Sequence, residues 1–519
     1  MSSPLPPSPA PAPHRERPGR RRILAGGAAV AAGLLVQPAL SACGASGGAA
    51  DAHLRVGAAA PAGGITFDPR MPSPGAGALI LAHLYDPLVR LRGGSYEMRL
   101  ASAAEPNADA TVWTVTLRTG ATFHDGRPVR AADAAYSLRL LYDPKSSALA
   151  GGLAAYVDTA GIRALDARTL RIPLTRARGD FVGAFLGALS TVFPEGTTDF
   201  AARPTGSGPF RWTASASQAV RLTANADYWD GPVRLAGLEI SRLTDPAARV
   251  NAVVAGQLDY AVGISAAAAR AHAHTAGVTI HRGGAATSNA LLLAMNASVP
   301  PFDRPEVRQA VRLAADRTQL VRNVLLGQGQ VGNDLVGLGL PGYADGLPQR
   351  AHDPDQARSL LTRAGVTGVT LQVAELVPGL AESAQVFVQQ ARQCGLDVRL
   401  RTVSADTYFA DPAALRRTAF QTFYVINRPA AVHIALMDAK NAPFNFTGAP
   451  ASFYTALDAA LATVDDARRA QRFQEIQQDF HDHGGDLVWG FAEQTDASRS
   501  GLAGVAWSQG TPLFHRVTV

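Results

Sequence analysis

Apolar and polar positions change period several times along the chain, and each change predicts an element. Over Thr111–Arg118 they alternate, with Val112, Trp113, Val115 and Leu117 among the members, the pattern of a half-buried strand. Asp133–Tyr142 then reads as a helix. From Glu306 to Leu326 the apolar residues Val307, Ala310, Val311, Ala314, Ala315, Leu320 and Val324 keep a spacing of three and four, which predicts one long amphipathic helix. Asp303 and Pro305 supply its start, because a carboxylate caps free amides and proline suits a first turn. A further helix is predicted over Asp353–Ala364, with Pro354 in its first turn and Gly365 closing it, and a strand over Gly368–Glu375. Strands that keep returning among helices argue for α/β lobes, and periodicity leaves their topology open. From His53 onward there is no short repeat and no apolar run long enough to cross a membrane.

Composition adds scale. A chain of 519 residues, 47% apolar and 17% charged, has material for two or three packed units. Its net charge of +6 suggests nucleic acid until the charge is located. Five arginines (Arg15, Arg17, Arg20, Arg21, Arg22) and one acid (Glu16) give residues 1–42 a net +4, leaving +2 for everything after them. A nearly neutral body argues against a nucleic-acid partner. The two cysteines, Cys43 and Cys394, build no disulfide framework, and Cys394 beside Gly395 reads as a small buried apolar residue.

The first fifty residues belong to targeting. A proline-rich stretch leads into Arg20-Arg21-Arg22, an apolar segment from Ile23 to Leu40 interrupted by Gly26, Gly27, Gly33, Gln37 and Pro38, and a small-residue region. Leu40-Ser41-Ala42-Cys43 resembles the lipobox of bacterial lipoproteins, which implies lipidation and an exposed mature terminus at Cys43; a retained transmembrane anchor is the competing reading. Arg20-Arg21-Arg22-Ile23-Leu24 also resembles a twin-arginine export signal. Gly44-Ala45-Ser46-Gly47-Gly48-Ala49-Ala50 has the composition of a flexible tether. Together these predict an exported protein, anchored through lipid to the outer face of the cytoplasmic membrane.

Several segments of the body share one likeness. Ile65-Thr66-Phe67-Asp68-Pro69 and Leu84-Tyr85-Asp86-Pro87 come first, then Trp113 to Val129 with its Phe123-His124-Asp125-Gly126 turn, and Ala131 to Ser137. Pro204-Thr205-Gly206-Ser207-Gly208-Pro209-Phe210, Asn225-Ala226-Asp227-Tyr228-Trp229, Ala255 to Asp259, Met295-Asn296, Pro301-Phe302-Asp303, Ala315-Asp316-Arg317 and His352-Asp353-Pro354 follow. In order and spacing this set resembles the family 5 extracellular solute-binding proteins of ABC importers, which include oligopeptide, dipeptide and nickel receptors. The resemblance implies a two-lobed, periplasmic-binding-protein-like α/β fold with an extra subdomain in the first lobe, closing over a small solute. The expected division is a signal peptide at 1–42, a lipidated tether at 43–52, lobe I at 53–262 with an insert at about 93–195, lobe II at 263–488, and a return to lobe I at 489–519.

The same residues argue against catalysis. His124 and Asp125 are adjacent and point apart, and Asp125-Gly126 is a turn signal. Gly206-Ser207-Gly208 lacks the lysine of a phosphate loop and the full nucleophile-elbow pattern. His272/His274 and His481/His483 are spaced two apart without neighbouring cysteines, so no metal and no cofactor is expected. With no assembled nucleophile, base and oxyanion group, the chain reads as a binding protein and not an enzyme.

The solute's chemistry is to be sought in the second lobe. Peptide receptors of the resembled family commonly place acidic residues after an aromatic there, where an aspartate meets the ligand amine. Phe423-Tyr424-Val425-Ile426-Asn427-Arg428-Pro429 departs from that pattern, so the solute is peptide-like or another small, even anionic, molecule that Arg428 can pair. Expected ligand-facing residues are Tyr424, Asn427, Arg428 and Trp489, with Tyr85 and Phe67 from the first lobe. Expected partners are the permease subunits of an importer, with the protein itself a monomer; the alternative is an extracellular sensor on the same fold without transport.

Overall fold

Local sequence accounts for where the elements begin and end. The computed structural model describes residues 53–60, 65–216, 219–409, 411–438, 440, 442 and 444–519. The expected signal peptide at 1–42, Cys43 and the tether at 43–52 lie outside them. The helix Pro354–Ala364 starts where Asp353 accepts the Gln356 N–H at 2.9 Å and ends at Gly365, left-handed at φ 64°, as expected. The strand Val112–Leu117 buries Trp113, Val115 and Leu117 on one face, and the helix after it spans Ala131–Leu141. The single helix expected over Glu306–Leu326 is two, Pro305–Ala314 and Arg317–Val324. Asp316 is the reason. Its backbone is extended and its carboxylate accepts the Gln319 N–H at 2.8 Å, so a new helix starts where apolar spacing alone runs on. Arg304, not Asp303, holds the cap position before Pro305.

Two large sheets organise the chain. The first has seven strands in the order Val278–Arg282, Thr495–Arg499, Tyr260–Ala261, His53–Ala58, Gly237–Arg242, Ala219–Ala224 and Phe210–Ser215, with His53–Ala58 parallel to both neighbours. The second has six: Gly329–Val331, Asp486–Ala492, Asn289–Met295, Phe420–Ile426, Gly368–Val373 and Asp397–Thr402. A separate four-stranded sheet, running from Ala101–Pro106 through Val112–Leu117 and Thr169–Pro173 to Arg163–Ala164, is inserted in the first half and shares one continuous apolar core with the seven-stranded sheet. The second sheet is covered on both faces, by a cluster with Leu291, Phe420 and Trp489 and by another with Leu292, Phe423 and Phe491. Each sheet therefore has its own core, and the result is a two-lobed α/β fold with an additional subdomain in the first lobe.

The chain crosses from the first sheet to the second through residues 283–288 and returns through Glu493 and Gln494. The passages lie side by side, and the Gly283 N–H donates to the Gln494 carbonyl at 3.0 Å. Both fall later than the boundaries expected at 262–263 and 488–489, because Val278–Arg282 still pairs with Thr495–Arg499 in the first sheet, and Asp486–Ala492 still pairs with Asn289–Ala294 in the second. Asp496 pins the return. Fully buried, it accepts hydrogen bonds from Tyr260 Oη (2.7 Å), Gly263 N (2.8 Å), Gln494 Nε2 (2.7 Å) and Trp507 Nε1 (3.1 Å), and burial raises its pKa.

The lobes also touch away from the crossovers. The helix Ala430–Met437, in the second lobe, buries Val432 in the apolar core of the first. The Gly179 N–H of the inserted subdomain donates to the Leu461 carbonyl at 2.7 Å. A Cβ at position 179 would stand 2.0 Å from the Thr463 carbonyl oxygen, so only glycine fits that approach. Among the described residues no helix is long and apolar enough to cross a membrane.

Candidate functional site

The segments that carry the family likeness meet in the first lobe, and they meet as scaffold. Asp86, fully buried, accepts hydrogen bonds from Tyr228 Oη at 3.1 Å, Trp229 Nε1 at 2.9 Å and Arg90 at 3.3 Å, tying the end of the first helix, Ala76–Leu84, to the Asn225–Trp229 turn. His124 accepts the Gly206 N–H at Nδ1 (3.2 Å) and reaches the Gly208 carbonyl with Nε2 (3.1 Å), which fixes Nε2 as the protonated nitrogen. Burial lowers its pKa to about 4. Both ring nitrogens serve the backbone, so His124 holds the glycine turn in place. That turn needs its glycines, since a Cβ at Gly206 would lie 2.0 Å from the Leu84 carbonyl oxygen and one at Gly208 would lie 2.4 Å from that of His83. The histidine pairs do not converge either: His481 is buried against Asn333, while His483 is exposed and bonded to Asp479. No group of three or more metal-ligating side chains is assembled among the described residues.

A cleft of about 350 Å³ opens where the Pro69–Ser73 loop, the start of the Val89–Arg92 strand, the Leu186–Thr191 segment and the hairpin of Ala506–Ser508 and Thr511–Leu513 face Ile426, at the end of the second-sheet strand Phe420–Ile426. Its volume is in the range of small-ligand sites. Ile426 and Met71, each 44% exposed, line it.

The structure sorts the expected ligand-facing residues. Tyr85 lines the cleft; its body is buried, its hydroxyl donates to the Phe67 carbonyl at 3.2 Å, and burial pushes its phenol pKa up. Phe67 packs edge-on to Trp212 at 6.3 Å against the first core and contributes that carbonyl. Trp489 is 0% exposed in the core of the second sheet and forms no wall, because its strand is central and covered on both sides. Asn427 is 1% exposed and its amide is fully engaged: Oδ1 accepts the Gly337 N–H at 2.9 Å, and Nδ2 donates to the carbonyls of Ala285 and Leu338, both at 2.8 Å. It braces the first crossover to the 337–338 loop and has nothing left for a ligand. Tyr424 and Arg428 are half-buried beside one another; burial raises the pKa of the Tyr424 phenol and lowers that of the Arg428 guanidinium, and their mutual attraction opposes both shifts. The Arg428 Nε–H donates to the Ile426 carbonyl at 3.2 Å, and no carboxylate pairs with the guanidinium among the described residues. Sequence reasoning missed Met71, Leu149, Ile426 and the Ser508–Thr511 hairpin, whose meeting in one cleft is a product of the chain's late return to the first lobe.

The model for bacterial extracellular solute-binding proteins, family 5, matches residues 95–428, and the chain belongs to that family. It is 28% identical over 338 residues to Di/tripeptide-binding protein 2 of Pseudomonas aeruginosa, a match covering 59% of this chain and 62% of that protein. It is 27% identical over 349 residues to the nickel-binding periplasmic protein of Escherichia coli, covering 61% and 65%. The chain thus spans under two thirds of either relative's length. The fold is also that of NikA from Brucella suis, solved in complex with Fe(III)-EDTA, with a TM-score of 0.80 at 18% identity over 90% of this chain and all of that one.

Proposed function

We propose that the protein is the solute receptor of an ABC-type importer, exported, held by a lipid on Cys43 at the outer face of the cytoplasmic membrane, and acting as a monomer that carries a peptide-like or other small solute to the permease. The observation that carries this reading is the pair of adjacent crossovers at 283–288 and 493–494, joining two independently packed lobes beside a cleft lined from both. Two adjacent crossover segments joined by a hydrogen bond are a narrow joint about which two packed lobes can close, so the solute is bound by both lobes at once. Tyr85 contributes to the first-lobe wall, and Ile426, at the end of the strand Phe420–Ile426, faces it from the second lobe. The relatives named for di- and tripeptides and for nickel support a small cargo.

The test has two arms. Cys43→Ala is expected to leave the folded body intact and release it from the membrane fraction; protein still bound after a carbonate wash would contradict the lipid anchor. Deleting the gene is expected to abolish uptake of whichever solute the purified protein binds, and undiminished uptake would contradict delivery to a permease.

A further inference from the structure

The cleft offers no unpaired charge. None of the 24 residues that line it is Asp, Glu, Lys or His, and most are apolar. Its one arginine, Arg90, is buried and bonded to the buried Asp86 at 3.3 Å. Beside the lining residue Pro69, Asp68 and Arg70 neutralise each other, with Arg70 Nη2 2.7 Å from the Asp68 carboxylate. Arg428, two residues beyond Ile426, turns its Nε–H back to the Ile426 carbonyl and is not among the lining residues. The lining hydroxyls of Tyr85, Ser190 and Ser508 are engaged as well, donating to the carbonyls of Phe67, Leu186 and Leu91. Gln509 differs. It is exposed at the turn between Ala506–Ser508 and Thr511–Leu513, with a left-handed φ of 48° that a glycine would adopt without strain. Its Nε2 donates to the Gly187 carbonyl at 3.3 Å, which ties the hairpin to the Leu186–Thr191 segment and leaves Oε1 without a donor among the described residues.

Resting on the reading of this cleft as the solute site, we propose that the ligand is an uncharged organic molecule, its apolar body laid against Met71, Leu149 and Ile426 and one of its N–H or O–H groups donated to Gln509 Oε1. Closing the cleft over an ammonium or a carboxylate would strip that group of water with no counter-charge to receive it, which is costly. A neutral amide or hydroxyl loses less on leaving water and regains a hydrogen bond at Gln509. A free peptide brings two unmatched charges to this lining, and a peptide blocked at both ends brings none.

The test uses matched probes with the full-length protein in detergent, read by thermal shift and calorimetry. N-acetyl-dileucine amide is neutral, N-acetyl-dileucine is an anion, dileucine amide a cation and dileucine a zwitterion; nickel–EDTA serves as a charged chelate. The neutral probe is expected to bind about tenfold or more tightly than each of the others. Ile426→Glu, which sets a carboxylate on the second-lobe side, should turn the preference toward dileucine amide. Gln509→Gly should weaken the neutral probe several-fold with the fold intact by circular dichroism, and unchanged affinity would remove Gln509 from the site. A charged probe that binds as tightly as the neutral one, or a response confined to nickel–EDTA, would overturn the uncharged ligand and leave the receptor reading standing. No response to any probe would count against both.

Discussion

Asn427 and His124 show how a polar residue that looks available for chemistry is spent on the fold. Asn427 satisfies three backbone groups at the joint between lobes, so Asn427→Ala leaves them unpaired in a buried place. The expected loss is about 2–3 kcal/mol of stability in urea titration; unchanged stability with lost binding would return Asn427 to the ligand. His124 is held neutral with its proton on Nε2 and a pKa of about 4, below the ordinary 6.5. The unfolded chain takes up that proton first, so the stability tied to His124 is complete above pH 6.5 and is lost as pH falls toward 4. Nitrogen-detected NMR at pH 5.5 is expected to show a neutral Nε2–H ring, and an imidazolium there would contradict the assignment. Neither role was legible in the sequence, because both depend on backbone partners that are 82 and 84 positions away for His124 and 89, 90 and 142 for Asn427.

Elements were legible where their signals are local. The helix Pro354–Ala364 carries its own cap, first-turn proline and closing glycine, and was readable for that reason. The break at Asp316 was not, because apolar spacing persists across it while the cap signal lies in one carboxylate. Contacts between lobes leave even less trace. Gly179 looks like any loop glycine, yet its N–H meets the Leu461 carbonyl across the lobes and its missing Cβ makes room for Thr463. Gly179→Ala places a methyl group against a backbone oxygen that no rotamer change can move. The variant is expected to hold the lobes apart, with a larger radius of gyration by X-ray scattering and several-fold weaker solute binding; scattering and affinity equal to the parent would show that this contact does not matter to closure.

For the whole molecule, the order of the family segments was enough to read a two-lobed α/β receptor, since most of those segments turn out to be scaffold: Asp86 with Tyr228 and Trp229, His124 with the Gly206–Gly208 turn, Asp259 with Arg55. Ligand chemistry was less legible, because the cleft is assembled from the 69–73 loop, the 186–191 segment, the 506–513 hairpin and the single second-lobe residue Ile426, which no local pattern connects. What was readable there was the absence of acid around Arg428, and the cleft extends that absence to its whole lining. The most direct test of the account is equilibrium binding of the purified protein to di- to pentapeptides, acylated peptides and other organic anions, nickel chelates and oligosaccharides, followed by thermal shift. A ligand that binds only the folded state raises its melting temperature in proportion to the logarithm of its excess over Kd. The account predicts a saturable rise with one class of small solute, at one site per chain. No rise with any of them, under conditions where the protein is folded, would contradict the claim that this chain is a solute receptor.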